Sequence, residues 1–292
     1  MHRLRPNGVG LVCAFTAAVC YAGLNAAIRF ADVHMSIWHI IFYRSLFGAV
    51  AMVLLARAAG IGILGRARST LCLVGLFGAA GVMALTVALI VLPLFEALVL
   101  LYLFPTFSAL LSPWLTADRI APRDWILIGT AFLGACLVLW SGSFISGLTW
   151  GHALGLMAAL CLGLTFTLTR RISAGNSPLT PFFYICAAGM VASVGPLWLQ
   201  SHTFAVATAG WPALGAVAAL ATAAHLAGNK ALSYLPSPQV GVILMTEVAF
   251  GAVIGMLLFG EYLGGRTWMG GILIVASGIG LNLRGAQASA DP

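Results

Sequence analysis

The sequence predicts an all-α membrane protein of ten transmembrane helices, arranged as two inverted five-helix repeats. Three observations carry this prediction. The 292-residue chain is 61% hydrophobic and only 7% charged, with a mean hydropathy of +1.05. A soluble domain is about 25% charged, so this chain cannot build a water-facing surface and belongs in lipid. Second, apolar runs of about 20 residues, enough to cross a hydrocarbon core roughly 30 Å thick, follow one another with short connections. Third, the stretch 92–120 recurs at 235–263. A shift of 143 residues carries Leu92-Pro93 onto Leu235-Pro236, Phe107 onto Phe250, Asp118 onto Glu261, Arg123 onto Arg266 and Trp125 onto Trp268. The same shift carries Ser108-xxx-Ser112 onto Gly251-xxx-Gly255. Matches in order and without a gap point to one unit used twice.

The runs fall at about 9–31, 36–57, 70–91, 94–116, 124–142, 151–170, 180–200, 210–230, 237–260 and 267–284. Their continuous apolarity, without period-two alternation, argues against a transmembrane barrel. The first follows His2-Arg3-Leu4-Arg5 like a signal peptide, but it is long enough to span and reads as a retained helix. Leu92-Pro93 and Leu235-Pro236-Ser237-Pro238 mark tight turns, because proline cannot continue a hydrogen-bonded helix. Gly151-xxx-Gly155, Gly251-xxx-Gly255 and Gly75, Gly78 and Gly81 place small residues where helices approach closely.

Charge sets the orientation. With the N-terminus cytoplasmic, eleven of the 14 Lys and Arg lie inside, Arg29 and Arg266 lie outside, and Arg44 lies within a span. Both termini are therefore expected in the cytoplasm. The shift carries span 4 onto span 9, five spans later, so the halves (1–146 and 147–292) are expected upside down relative to each other. Inverted halves can exchange shapes and open a midplane site to one side and then the other.

Several classes are disfavoured. The net charge of +7 comes from basic residues between apolar runs, with no basic patch interleaved with aromatics, so no nucleic-acid partner is expected. The six cysteines all lie in apolar runs without a CxxC pair and read as core residues. The chain has no Walker loop, HExxH, GxSxG or metal-ligand cluster. Neither a cofactor nor an enzymatic activity is expected.

Four stretches resemble a known family. Span 1 reads CYAGLNAAIRFA, span 2 FYRSLFGA, span 4 FPTFSALLSPWLTAD and span 9 TEVAFGAVIGMLLFGE. These are similar to the motifs of the drug/metabolite transporter superfamily, and within it the ten-helix EamA-type exporters. Tyr21 stands where that family has tryptophan, Arg29 where it has lysine, Arg44 at its arginine, and Glu247 at its second-repeat glutamate. Asp118 and Glu261 close spans 4 and 9. The family's proline after the glutamate is Val248 here, which leaves a kink at that point open. The resemblance implies a bacterial inner-membrane exporter of small metabolites. Amino acids, including aromatic ones, are a common cargo; drugs and nucleosides also occur. The resemblance further implies a cavity formed mainly by spans 1, 3, 4, 6, 8 and 9.

Glu247 is the sharpest candidate for the chemistry. A carboxylate at mid-span costs a few kcal/mol to insert, so it should face a cavity or a partner. Three roles are open: proton coupling, binding of a substrate amine, or bonding between helices as a neutral acid. Arg44 either binds a substrate carboxylate or pairs within the fold. Glu96, one turn into span 4, either lines the outer mouth or reaches the headgroups. His225 and Asn229 share a helix face at i, i+4, and His34 and His39 flank the first outer loop, where they read as interfacial. Tyr21 with Asn25, Thr86, Tyr102 with Thr106, Phe166 with Thr167, and His225 complete the candidate lining, since a cavity for apolar side chains needs a few polar groups in apolar walls. Trp114, Trp125, Trp140, Trp150, Trp198, Trp211 and Trp268 lie near span ends, as interface belts do. The expected function is alternating-access export of amino-acid-like or related small metabolites. The expected partners are a small-molecule substrate and the bilayer, with a monomer or homodimer as the assembly.

Overall fold

The computed structural model describes residues 6–115, 122–141, 149–172, 175–177, 179–201, 203–232, 234 and 237–288. The expected boundary between halves at 146/147 and the acidic Asp118 lie outside them. Helices dominate, and no strand occurs among the described residues. In chain order they are α1 (Pro6–Asp32), α2 (Ile37–Ala58), α3 (Arg68–Val91), α4 (Leu94–Leu101), α5 (Phe104–Leu115), α6 (Pro122–Ser141), α7 (Trp150–Ile172), α8 (Leu179–Ser201), α9 (Trp211–Leu232), α10 (Ser237–Leu244), α11 (Thr246–Phe259) and α12 (Gly265–Ala288). Among the described residues, eight stretches are long and apolar enough to cross a membrane, and Trp125–Leu137 forms a shorter apolar helix.

The 143-residue shift reappears in the helix boundaries. It carries the start of α3 at Arg68 onto that of α9 at Trp211, all of α4 onto α10, and the start of α6 at Pro122 onto that of α12 at Gly265. Packing follows the same rule. The α1 on α9 pairing is matched by α7 on α3, and α1 on α10 and α11 by α7 on α4 and α5. The self-related pairs α2 with α8 and α6 with α12 pack on each other. The α1–α9 pair is antiparallel: Gly23 meets Leu220 and Ala17 meets Gly228, while Gly210, just ahead of α9, meets Met35, beyond the far end of α1.

Spans 4 and 9 are each two helices rather than one, and their breaks are related by the same shift: Tyr102 and Leu103 lie between α4 and α5, and Met245 between α10 and α11. The first break has a backbone cause. Pro105 offers no N–H to continue the ladder, and the chain tightens so that Leu103 N–H bonds Leu100 O at 3.1 Å. The second forms without the family proline, whose place Val248 takes. Side-chain hydroxyls do the work there. Thr246 donates to Ile243 O at 2.6 Å, Tyr102 reaches Leu244 O at 2.7 Å, and Val248 N–H closes a three-residue turn on Met245 O at 3.2 Å.

The core centres on α4, where every residue except Glu96 is buried. Its own Leu94, Leu98 and Leu100, and Leu24, Ile28 and Leu89 in the same core, are fully enclosed. A helix apolar all round belongs in such an interior. The outer faces stay apolar too, with Leu257, Ile272 and Val191 exposed, as suits lipid. Small residues set the closest approaches. A Cβ on Gly134 in α6 would stand 2.7 Å from Gly270 O in α12, and one on Gly163 in α7 would stand 2.8 Å from Phe104 O. Gly151 and Gly155 face Leu92 and Leu100, and Gly251 faces Leu98. His39, read from the sequence as interfacial, is instead buried near the start of α2.

Candidate functional site

The two breaks face each other across the centre of the bundle, and a polar cluster forms where they meet. Glu247 lies in the first turn of α11 and is buried. Asn25 of α1 donates through Nδ2 to Glu247 Oε1 at 2.6 Å. Tyr102, at the break of span 4, places its hydroxyl 2.7 Å from Glu247 Oε2 and 2.7 Å from Leu244 O. One carboxyl group thus joins spans 1, 4 and 9.

A phenol has one hydrogen, yet two oxygens sit at bonding distance. All contacts are made at once when Glu247 carries a proton on Oε2. The acid then donates to the Tyr102 oxygen, Tyr102 donates to Leu244 O, and Asn25 donates to Oε1. When Glu247 is ionised, Tyr102 can donate to it only by releasing the Leu244 carbonyl, which belongs to the helix break. The hydrogen-bond geometry therefore ties the protonation of Glu247 to the backbone of span 9.

Beside this cluster, Tyr21 of α1 bonds His225 Nδ1 of α9 at 2.9 Å, with the two rings edge to face at 5.4 Å. Phe182 of α8 covers the other side of the imidazole, with ring centroids 3.6 Å apart. Arg44 of α2 comes in from behind, close enough to interact electrostatically with Tyr21, Glu247 and Cys186. No carboxylate among the described residues lies within ion-pair reach of it, and its Nη1 is buried without an acceptor.

The structure brings together Tyr21, Asn25, Tyr102, His225, Glu247 and Arg44. Other candidates lie apart. Thr86 is buried and spends its hydroxyl on Val82 O of its own helix. Thr106 is buried with its hydroxyl unpartnered. Phe166 is 54% exposed and stacks on Phe104 at 4.9 Å, and Thr167 bonds Ser108 across α5 and α7. Glu96 pairs with His152 at 3.5 Å, near the start of α7. The Asn229 side chain lies outside the described set.

A second charged contact, not foreseen from sequence, closes one end of the bundle. Glu261, just past α11, pairs with Arg29 of α1. It also accepts the free Leu94 N–H at the start of α4 through both oxygens, at 2.8 and 2.9 Å. Gly260 turns the chain in left-handed geometry (φ 62°), and Glu261 N–H returns to Gly255 O at 3.1 Å. Arg29 also lies over the Phe259 ring, 4.6 Å from its centroid. The sequence signal was faint: an acid and a base, each alone at the end of an apolar run.

A buried acid at mid-membrane, held between broken helices of two matching halves, marks a membrane transporter. The chain belongs to the EamA-like transporter family, which it matches over residues 8–140 and 149–283. It is 24% identical over 273 residues to the pseudopaline exporter CntI of Pseudomonas aeruginosa, covering 94% of this chain and 95% of that one. It is 26% identical over 204 residues to a riboflavin transporter of Rhizobium johnstonii, covering 69% of this chain and 66% of the relative. A solved crystal structure shares the fold with a TM-score of 0.64 at 17% identity, over 96% of this chain and 98% of the other.

Proposed function

We propose that this protein is a secondary exporter of the bacterial inner membrane that moves amino acids, aromatic and apolar ones included, or closely related small metabolites. Transport proceeds by alternating access between the halves 1–146 and 147–292, with both termini cytoplasmic and proton movement coupled through Glu247. The observation that carries this reading is the triple bonding of Glu247 to Asn25, Tyr102 and, through Tyr102, Leu244 O. A proton at this point controls contacts between both halves, which coupling requires. In this topology the Arg29–Glu261–Leu94 contact closes the outer end. Pseudopaline and riboflavin are the named cargoes of two relatives, and both support a small-metabolite substrate; the amino-acid cargo rests on the family resemblance of spans 1, 2, 4 and 9.

The test is flux in liposomes reconstituted with the purified protein, using labelled amino acids, nucleosides and a cationic dye, with and without a pH gradient. Saturable amino-acid flux that responds to the gradient is the expected result. Dye flux alone would replace the amino-acid reading with drug export, and flux indifferent to the gradient would remove the coupling role.

A further inference from the structure

Arg44 is half-buried, and its enclosed Nη1 has no partner within the fold. A charge at this depth costs at least about 2.5–3.5 kcal/mol to place in a membrane, and protein interiors offset such a charge with a partner. Glu247, the acid that interacts with it electrostatically, is occupied by Asn25 and Tyr102 and completes those bonds as a neutral group. That leaves Arg44 as an unneutralised cation with a buried, unpartnered Nη1.

Arg44 borders a cavity of about 20 Å³ with Ser45, Ala79, Phe182, Cys186 and Gly189, room for one water-sized group. The cavity sits where α2 crosses α8, since Ser45 faces Gly189 and Gly48 faces Cys186. Phe182, one wall of this cavity, is also the ring tilted against His225. The Phe182 ring therefore separates the Tyr21–His225 pair from the guanidinium and would have to turn aside for one ligand to touch both.

We propose that Arg44 anchors a carboxylate of the transported molecule, so that cargo is recognised as a zwitterion or organic anion. This rests on the transporter reading above and adds the substrate class. A carboxylate seated on the Arg44 fork leaves the rest of the cargo beside Tyr21, Phe182 and His225, and an amine, where present, toward Glu247. A cation without a carboxylate meets repulsion instead.

The test uses the full-length protein in liposomes and four probes: L-phenylalanine, L-phenylalaninamide, 3-phenylpropionate and phenethylamine. Each competes against labelled L-phenylalanine and is also scored for thermal stabilisation of the detergent-solubilised protein. The two carboxylates should act at concentrations about tenfold to a hundredfold lower than their uncharged or cationic counterparts, the range for a hydrogen bond to a charged group. Arg44→Lys should narrow that gap and Arg44→Gln should abolish it. Wild-type protein that treats phenylalanine and its amide alike overturns the proposal whether or not the variants fold. So does discrimination that survives in Arg44→Gln. Carboxylate selectivity without any response to a pH gradient would uphold Arg44 and sink the coupling at Glu247. A wild type that responds to none of the four probes would overturn both.

Discussion

Replacing Glu247 by Gln and by Leu separates two things that this carboxyl does. In Glu247→Gln the amide oxygen still accepts from Asn25, 2.6 Å away in the wild type. The amide nitrogen donates to the Tyr102 oxygen, and Tyr102 keeps its bond to Leu244 O. Every contact of the protonated acid is reproduced, so thermal stability should stay within about 1 kcal/mol of wild type, because no buried group loses its partner. What Gln cannot do is release a proton. Flux down a substrate gradient should persist, while the response to a pH gradient disappears. Glu247→Leu removes the acceptor that Asn25 uses, and a buried amide left without one costs about 1–3 kcal/mol, so the protein should unfold earlier on heating. Thermal unfolding in detergent and liposome flux with and without a pH gradient give both readouts. A Gln variant that still follows the gradient would refute coupling through this residue. A Gln variant as unstable as Leu would refute the neutral hydrogen-bonded form.

Tyr102→Phe deprives Leu244 O and Glu247 of the phenol, so it should lower thermal stability by about 1–3 kcal/mol and slow flux, which the same two assays read. Glu261→Gln should loosen the end assigned as outer, because Arg29 and Leu94 N–H share that carboxylate. With the native cysteines removed and one placed at Ala27, labelling by an impermeant thiol reagent added outside should rise about tenfold; unchanged labelling would remove Glu261 as a latch. Gly134→Ala pushes a methyl group onto the Gly270 carbonyl, and backbone cannot step aside as a side chain does. A loss of about 1–3 kcal/mol is expected, seen as a lower unfolding temperature, whereas Gly129→Ala on the same helix meets nothing within 4 Å and should be neutral.

The crossings and their repetition were legible because length and apolarity are one-dimensional signals. The 143-residue shift was readable for the same reason, and it reappears in the helix starts. The break at Tyr102 had a local cue in Pro105. The break at Met245 had none, because its carbonyls are taken by Thr246 and by a tyrosine 142 residues away in the chain. Within the cluster, Tyr21, Asn25, Tyr102, His225 and Glu247 stood out as polar groups in apolar helices. Phe182 and Cys186 did not, since an apolar residue in an apolar span carries no mark of what it touches. Thr86 drew attention by its hydroxyl alone, yet the i−4 carbonyl of its own helix satisfies that hydroxyl. Arg29 and Glu261 lie 232 residues apart in the chain, and only the packing of α1 beside α11 brings them together.

The twin breaks carry a consequence for direction. A scaffold whose second half retraces the first upside down looks the same from either side of the membrane, and its backbone alone holds no arrow. Position 247 is glutamate, while its counterpart 143 residues earlier, Phe104, is an aromatic ring stacked on another. The difference between those two residues is one of those that make the molecule's two faces unequal. Vectorial transport in such a protein would then be written in a handful of side chains, and moving them to the opposite half should reverse its sense while leaving the architecture untouched.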